Sequence, residues 1–326
     1  MTRDDDAPPR EDGTGVTSTG EANETRRSDG NNATDSGTVT DGGETAAAER
    51  VGEATAARSG DTPRQVLGVA RREYRVLGRA RWPYGLALLF GAFSVAVVGV
   101  TGSATGPTGA GALLVTLAEL SMYLVPLAAL ALGYGTVVGA AERGTLETLL
   151  SLPLRRSSLL AGKFLGRAAT LATGTAVGLG AGGVLVASRY GVAVLPAYLH
   201  YLVTAVAVGT AFLAVGVCVS AAADEKAHAL AGALVAWVWF VLVYDLVAIG
   251  VVVGLDLPGW ALSLLVVGNP ADVLRLVVLS LVPTAGGGAG AVLATTSVST
   301  PWVVVGLAAW VVLPVAVAGA LLDRRA

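Results

Sequence analysis

Residues Gly139–Arg167, GAAERGTLETLLSLPLRRSSLLAGKFLGR, form the one long polar and basic interruption between apolar runs that also keeps helical apolar spacing. Leu146, Leu149 and Leu150 recur at i, i+3 and i+4, which predicts a short helix with one apolar face. Glu142, Arg143 and Glu147 ride on or beside its other face, and Pro153 ends it. A second amphipathic segment starts near Ser157–Ser158, with Leu159, Leu160, Phe164 and Leu165 at helical spacing and Lys163 and Arg167 at the membrane edge. A helix this short is marginal by itself in water. Its apolar face must therefore dock on membrane, on its own bundle or on a partner.

On either side of this stretch the chain is built for lipid. Hydrophobic residues are 53% of 326 positions and charged residues 14%, and mean hydropathy is +0.65, outside the range of a soluble domain of this size. A bilayer core of about 30 Å needs about 20 apolar residues per helix. Six segments meet or nearly meet that length: roughly 83–100, 112–138, 168–187, 199–222, 229–255 and 302–322. The fold class is an all-α membrane protein, a six-span domain over 62–326. Basic residues concentrate in the segment before the first span, in 143–167 and at Arg324–Arg325, whereas the intervening loops carry few. By the positive-inside rule both termini and the 139–167 loop are cytoplasmic, in a multi-pass protein of the cell membrane.

Residues 1–61 hold 14 acids and 6 bases and almost no large apolar side chains, so they cannot bury enough surface to offset the entropy of ordering. A disordered acidic tail is expected, and no basic-then-apolar leader precedes the spans. Lys163 and Lys226 are the two lysines against 20 arginines; with the acidic tail, that usage is halophile-like. Thr62-Pro63 can start a helix in which Val66, Leu67, Val69 and Ala70 alternate with Arg64, Arg71, Arg72, Arg75, Arg79 and Arg81. This is either an elbow helix lying along the inner membrane face, with Trp82 and Tyr84 at headgroup depth, or a basic flank that only sets orientation. The outer connection from Asp256 to Pro301 contains Asn269–Pro283, too short for a seventh span and suited to an interfacial or re-entrant helix. Asp272 and Arg275 are three apart and could pair locally.

Within spans the ionisable residues are Glu119 and Asp245. A carboxylate at membrane depth costs a few kcal/mol on insertion scales, so each is expected to face the bundle or a wet cavity, either as a pathway group or as a hydrogen-bonded structural one. Asp224–His228 is a solvated turn or a second partner contact. Trp237, Trp239 and Tyr244 suit span packing or interface anchoring, and Cys218, the single cysteine, excludes an internal disulfide and any paired-cysteine metal or redox motif. Two methionines and two histidines near opposite faces make no metal site. No phosphate-binding loop is present: Ala161-Gly162-Lys163-Phe164 has Phe in the hydroxyl position and lacks the preceding glycine. HExxH and GxSxG are absent as well. These absences weigh against a six-span membrane enzyme; that or a six-span scaffold is the alternative reading.

The 139–167 stretch resembles the cytoplasmic loop of membrane permeases of type-2 ABC transporters, through Glu142, Gly144, Thr145, Leu146, Leu149, Leu150, Pro153, Arg156, Gly162, Lys163 and Gly166. It departs at Ala140, where relatives commonly carry a second acid. The resemblance implies that the loop is a coupling helix seated on a separate ATP-binding subunit, which binds ATP and Mg. This chain would then hold no cofactor of its own. Glu142, Arg143, Gly144, Thr145, Leu146, Leu149, Leu150, Pro153, Arg156 and Lys163 would form that interface, and the spans an export or extrusion path in a homodimer or heterodimer of permeases. No nucleic-acid partner is implied. Tyr244-Asp245 and Gly268–Arg275, with Asn269, Pro270, Asp272 and Arg275, are similar to the permease subgroup associated with nitrous oxide reductase maturation and copper processing.

Overall fold

Apolar runs long enough to cross a bilayer become helices because only a helix satisfies every backbone polar group inside its own segment. The computed structural model of the protein describes residues 62–101, 106–142, 144, 156–255, 258–281 and 300–324. The expected acidic tail over 1–61 and the expected helix around Leu146–Leu150 lie outside these. Among the described residues the order is α1 (Thr62–Arg79), α2 (Trp82–Val100), α3 (Gly106–Gly133), α4 (Val138–Ala141) and α5 (Arg156–Tyr190). A 3-10 turn, Val192–Val194, leads into α6 (Leu195–Ala222), followed by α7 (Lys226–Val238), a π-turn (Trp239–Val243) and α8 (Tyr244–Gly254). Then come α9 (Gly259–Val267), α10 (Pro270–Leu281) and α11 (Thr300–Arg324).

Six stretches are long and apolar enough to span: Trp82–Val100, Gly109–Ala141, Arg156–Tyr190, Val192–Ala222, Lys226–Gly254 and Pro301–Arg324. Their burial sorts them by depth in the bundle. The second is 61% buried and the fifth only 6%, so the first of these packs at the centre while the other shows most of its surface to its surroundings. Helix α6 is the hub, lying against α3, α5, α10 and α11, while α5 carries α1 and α2 on its other side. Lipid tails are as apolar as leucine, so contacts between spans depend on close backbone approach and on hydrogen bonds. Both are present. A Cβ on Gly166 would fall 2.6 Å from the Ala70 carbonyl, one on Gly174 2.6 Å from Leu86 Cβ and one on Gly178 2.6 Å from the Ala87 carbonyl. Glycine along this face lets α5 seat against α1 and α2 at a distance that no side chain would allow. Ser121 on α3 shares a 2.6 Å hydrogen bond with Tyr201 on α6, and Tyr198 donates to the Leu179 carbonyl on α5 at 2.6 Å.

Two expectations change. The amphipathic segment from Ser157 is not separate from the third span: α5 runs unbroken from Arg156, because nothing between it and Ala168 breaks a helix. Its apolar residues Leu159, Leu160 and Phe164 are buried in the chain's own bundle. The described residues of the connection expected on the outer side hold two helices where one was expected, α9 and α10, meeting at 108° as a broken span or re-entrant pair. The residues of α9, GWALSLLVV, are apolar on all sides, so no periodicity announces the helix.

Helix α1 carries a strongly amphipathic sequence. It buries Ala70 and Leu77 and leaves Arg71, Arg72, Arg75 and Arg79 exposed. It lies along α5, and Arg81 in the left-handed region (φ 63°) turns the chain into α2. For a residue other than glycine that conformation costs roughly 1–2 kcal/mol.

Candidate functional site

The end of the bundle where the 139–167 stretch enters and leaves is held by a chain of polar contacts that starts at single side chains. Ser220, buried on α6, accepts the Val137 and Val138 N–H groups at 3.0 and 3.2 Å. Those are donors that the first turn of α4 cannot satisfy internally. One turn on, Glu142 Oε1 accepts the backbone N–H of Lys226 at 2.8 Å. A carboxylate at the first residue of α7 satisfies an orphan donor and sits favourably on the helix dipole. Gly144 follows with φ +64°, a conformation that glycine adopts without strain.

Where the chain re-enters, Arg156 donates to the Asp323 carbonyl at 3.5 Å and so reaches the end of α11. Lys163 is buried, and its Nζ donates to the Thr136 carbonyl at 3.2 Å. Arg167 donates to the Leu132 carbonyl, and its Nε pairs with Glu73 Oε1 at 3.0 Å. Of the residues expected to form a partner interface, Glu142, Arg156 and Lys163 therefore make contacts within the chain. The Lys163 ammonium is turned to the Thr136 carbonyl within the chain. Arg143, Thr145, Leu146, Leu149, Leu150 and Pro153 lie outside the described residues. Glu73 was not anticipated; the signal was present, because it is the single acid in Thr62–Arg81.

Near the α8–α10 contact a second polar cluster forms. Asn269 is fully buried and caps α10: its Oδ1 accepts the Ala271 N–H at 3.0 Å, with Pro270 at the first helical position. Its Nδ2 donates to Asp272 Oδ2 at 3.2 Å and to the Phe240 carbonyl at 2.9 Å. Phe240 sits in the π-turn, where a locally widened helix disrupts the regular ladder, a feature frequent at functional sites. Tyr244 donates to the Leu265 carbonyl at 2.6 Å, and Trp310 Nε1 donates to the Val267 carbonyl at 3.0 Å. The bend between α9 and α10 is thus tied to α8, α11 and the π-turn. A Cβ on Gly268 would meet the Tyr244 hydroxyl at 2.5 Å, so no larger residue fits there without displacing it.

Arg275 does not pair locally with Asp272 as its spacing suggested. Its Nη1 reaches Asp245 Oδ2 on α8 at 3.4 Å, with the two side chains 18% and 26% exposed. Asp272 is buried beside both charges, and its Oδ1 has no hydrogen-bond partner among the described residues. The cluster therefore sets two carboxylates around one guanidinium. Asp245 pairs with Arg275 in this cluster, whereas Glu119 lies exposed on α3 in the single chain and is not part of it. Trp237 donates to the Tyr123 carbonyl at 3.0 Å, which makes it a packing residue between α7 and α3.

The model of a family described as ABC-2 family transporter protein matches residues 21–326. Over 276 residues, 80% of this chain, the sequence is 35% identical to a probable ABC transporter permease protein NosY of Pseudomonas aeruginosa, covering 98% of that protein. It is 33% identical to a protein of the same name from Stutzerimonas stutzeri, covering 99% of it.

Proposed function

This chain belongs to the ABC-2 family of transporter proteins, and on that premise we propose that it turns the ATP cycle of a separate ATP-binding subunit into movement of its own spans, exporting or extruding a substrate. It is a multi-pass permease subunit of an ABC transporter. The observation that carries the finer reading is the fastening of both ends of segment 143–155. Before it, Ser220 and Glu142 bind the chain to α6 and α7; after it, Arg156, Lys163 and Arg167 bind it to α11, to the turn after α3 and to α1. A force applied to the segment would load four helices and the turn after α3 together.

On this proposal Arg143, Gly144, Thr145, Leu146, Leu149, Leu150 and Pro153 form the surface seated on the ATP-binding subunit, which holds ATP and Mg. Glu142, Arg156 and Lys163 transmit its motion into the permease. The end of the bundle with the arginines of α1 faces the cytoplasm, two permease chains pair, and Asp245 with Arg275 lies beside the re-entrant helices on the outer side. The Gly268–Arg275 motif supports a place in the nitrous oxide reductase maturation and copper-processing subgroup.

The test is recovery of an ATP-binding subunit with the full-length permease, before and after residues 144–150 are scrambled. Recovery should fall at least tenfold in the scrambled chain while its thermal unfolding midpoint is retained. Equal recovery from both chains would sink the proposal.

A further inference from the structure

Between α1, the end of α3, the start of α5 and the first turn of α7 lies a cavity of about 400 Å³. Four cations line it, Arg72, Lys163, Arg167 and Lys226, against one acid, Glu73. Glu73 is committed to Arg167 at 3.0 Å, so the cavity retains an excess of positive charge. Val69, Leu77, Leu132, Leu159 and Trp82 give it an apolar side, and Lys226 Nζ lies 5.9 Å from the centre of the Tyr134 ring, which also lines it. A second cavity of about 400 Å³ runs along α1, lined by Arg71, Arg72, Arg75 and Arg79, and shares Arg72 and Val76 with the first. Arg71, Arg75 and Arg79 follow one another at four-residue spacing, which places them on one helix face.

We propose that this cavity binds the phosphate headgroup of an anionic lipid, with Arg72 and Lys226 as its principal contacts. Three observations select that chemistry. An excess of guanidinium and ammonium groups matches a phosphate, for which arginine offers planar paired donors and lysine a point charge. The apolar wall would be wasted on a fully hydrated ion, whereas it suits the glycerol and first methylenes of a lipid. Trp82, the first residue of a span, also lines the cavity, and the arginine stripe of α1 borders it through the shared Arg72 and Val76. Basic pockets between spans are a known physical solution for anionic headgroups. The consequence is structural as well as chemical. One phosphate would bridge α1 to α7, and it would lie on the same contacts that anchor the 139–167 stretch, since Lys226 is the residue whose N–H is held by Glu142. The proposal needs only that the chain spans a membrane and is independent of the ATP-coupling reading.

The experiment is native mass spectrometry of the full-length protein, delipidated and then titrated with phosphatidylglycerol or phosphatidylcholine in detergent. The wild type should retain one phosphatidylglycerol in preference to phosphatidylcholine. Arg72→Gln/Lys226→Gln should weaken that binding about tenfold or more, while Arg64→Gln, which removes the same kind of charge from α1 outside both cavities, should leave it unchanged. Equal retention of the two lipids by the wild type, or unchanged binding in the double variant, would overturn the site. A parallel arm adds inorganic phosphate at millimolar concentration. Failure of phosphate to displace the lipid supports a lipid source, and displacement of the lipid by phosphate alone would overturn it in favour of a soluble anion.

Discussion

At Arg275, one guanidinium balances Asp245 at 3.4 Å and stands beside a second, buried carboxylate, Asp272. Losing one partner of a buried charge pair costs more than losing both, because the survivor keeps its desolvation without compensation. The triad makes that cost unequal. Arg275→Ala leaves Asp245 and Asp272 facing one another without a cation and should destabilise by about 3 kcal/mol. Asp245→Ala leaves Arg275 with Asp272 as a substitute and should cost clearly less. Adding Asp245→Ala to Arg275→Ala should recover part of the loss. Thermal unfolding midpoints in detergent measure all three, and equal shifts for the two single variants would refute the triad. Spacing in the chain could not reveal this arrangement. It offered Asp272 as the partner of Arg275, whereas the partner in the fold is 30 residues away on another helix.

Among the helices, α5 depends on what it lacks. A Cβ on Gly178 would fall 2.6 Å from the Ala87 carbonyl and 2.7 Å from Phe90 Cβ, whereas one on Gly180 meets nothing within 4 Å. Gly178→Leu should therefore force α2 away from α5, at an overpacking cost of about 1–3 kcal/mol. Gly180→Leu should be close to neutral. The yield of folded protein and the unfolding midpoint distinguish the two, and similar behaviour of both variants would contradict the close packing. Among the elements, the amphipathic α1 and the long apolar runs were legible from periodicity and length. Helix α9 was not, since an all-round apolar segment has no face to reveal. That the segment from Ser157 is the start of the third span was hidden for a different reason: its polar residues set it apart from the apolar run, and contacts with other helices, such as that of Lys163 with the turn after α3, are what place it in the bundle.

For the whole molecule, the proposed orientation makes a labelling prediction. Cys218 is the single native cysteine, so a Cys218→Ala background permits one probe at a time. Val192→Cys, at a position 76% exposed, should react with a membrane-impermeant maleimide in intact cells. Glu225→Cys, beside the start of α7, should react only after permeabilisation. The opposite pattern would invert the topology and place the 139–167 stretch outside, where no ATP-binding subunit could reach it.

Hydropathy and charge along the chain are sufficient to mark six stretches long and apolar enough to cross a membrane and to show which loops are basic, because each span must satisfy its backbone locally and loop charge is a property of composition. The motif from Glu142 to Lys163 was sufficient to point to the family. Which charges meet was decided only in three dimensions. Glu142 on the N–H of Lys226, Lys163 on Thr136, Arg167 on Glu73 and Arg275 on Asp245 all join residues at least 27 positions apart. At membrane depth a charged group takes whatever partner the packing brings within reach, and packing here is governed by glycines and by the bend between α9 and α10. The 139–167 stretch thus has two halves of different origin, a leucine pattern visible in one dimension and a set of anchors that exists only once the helices have assembled.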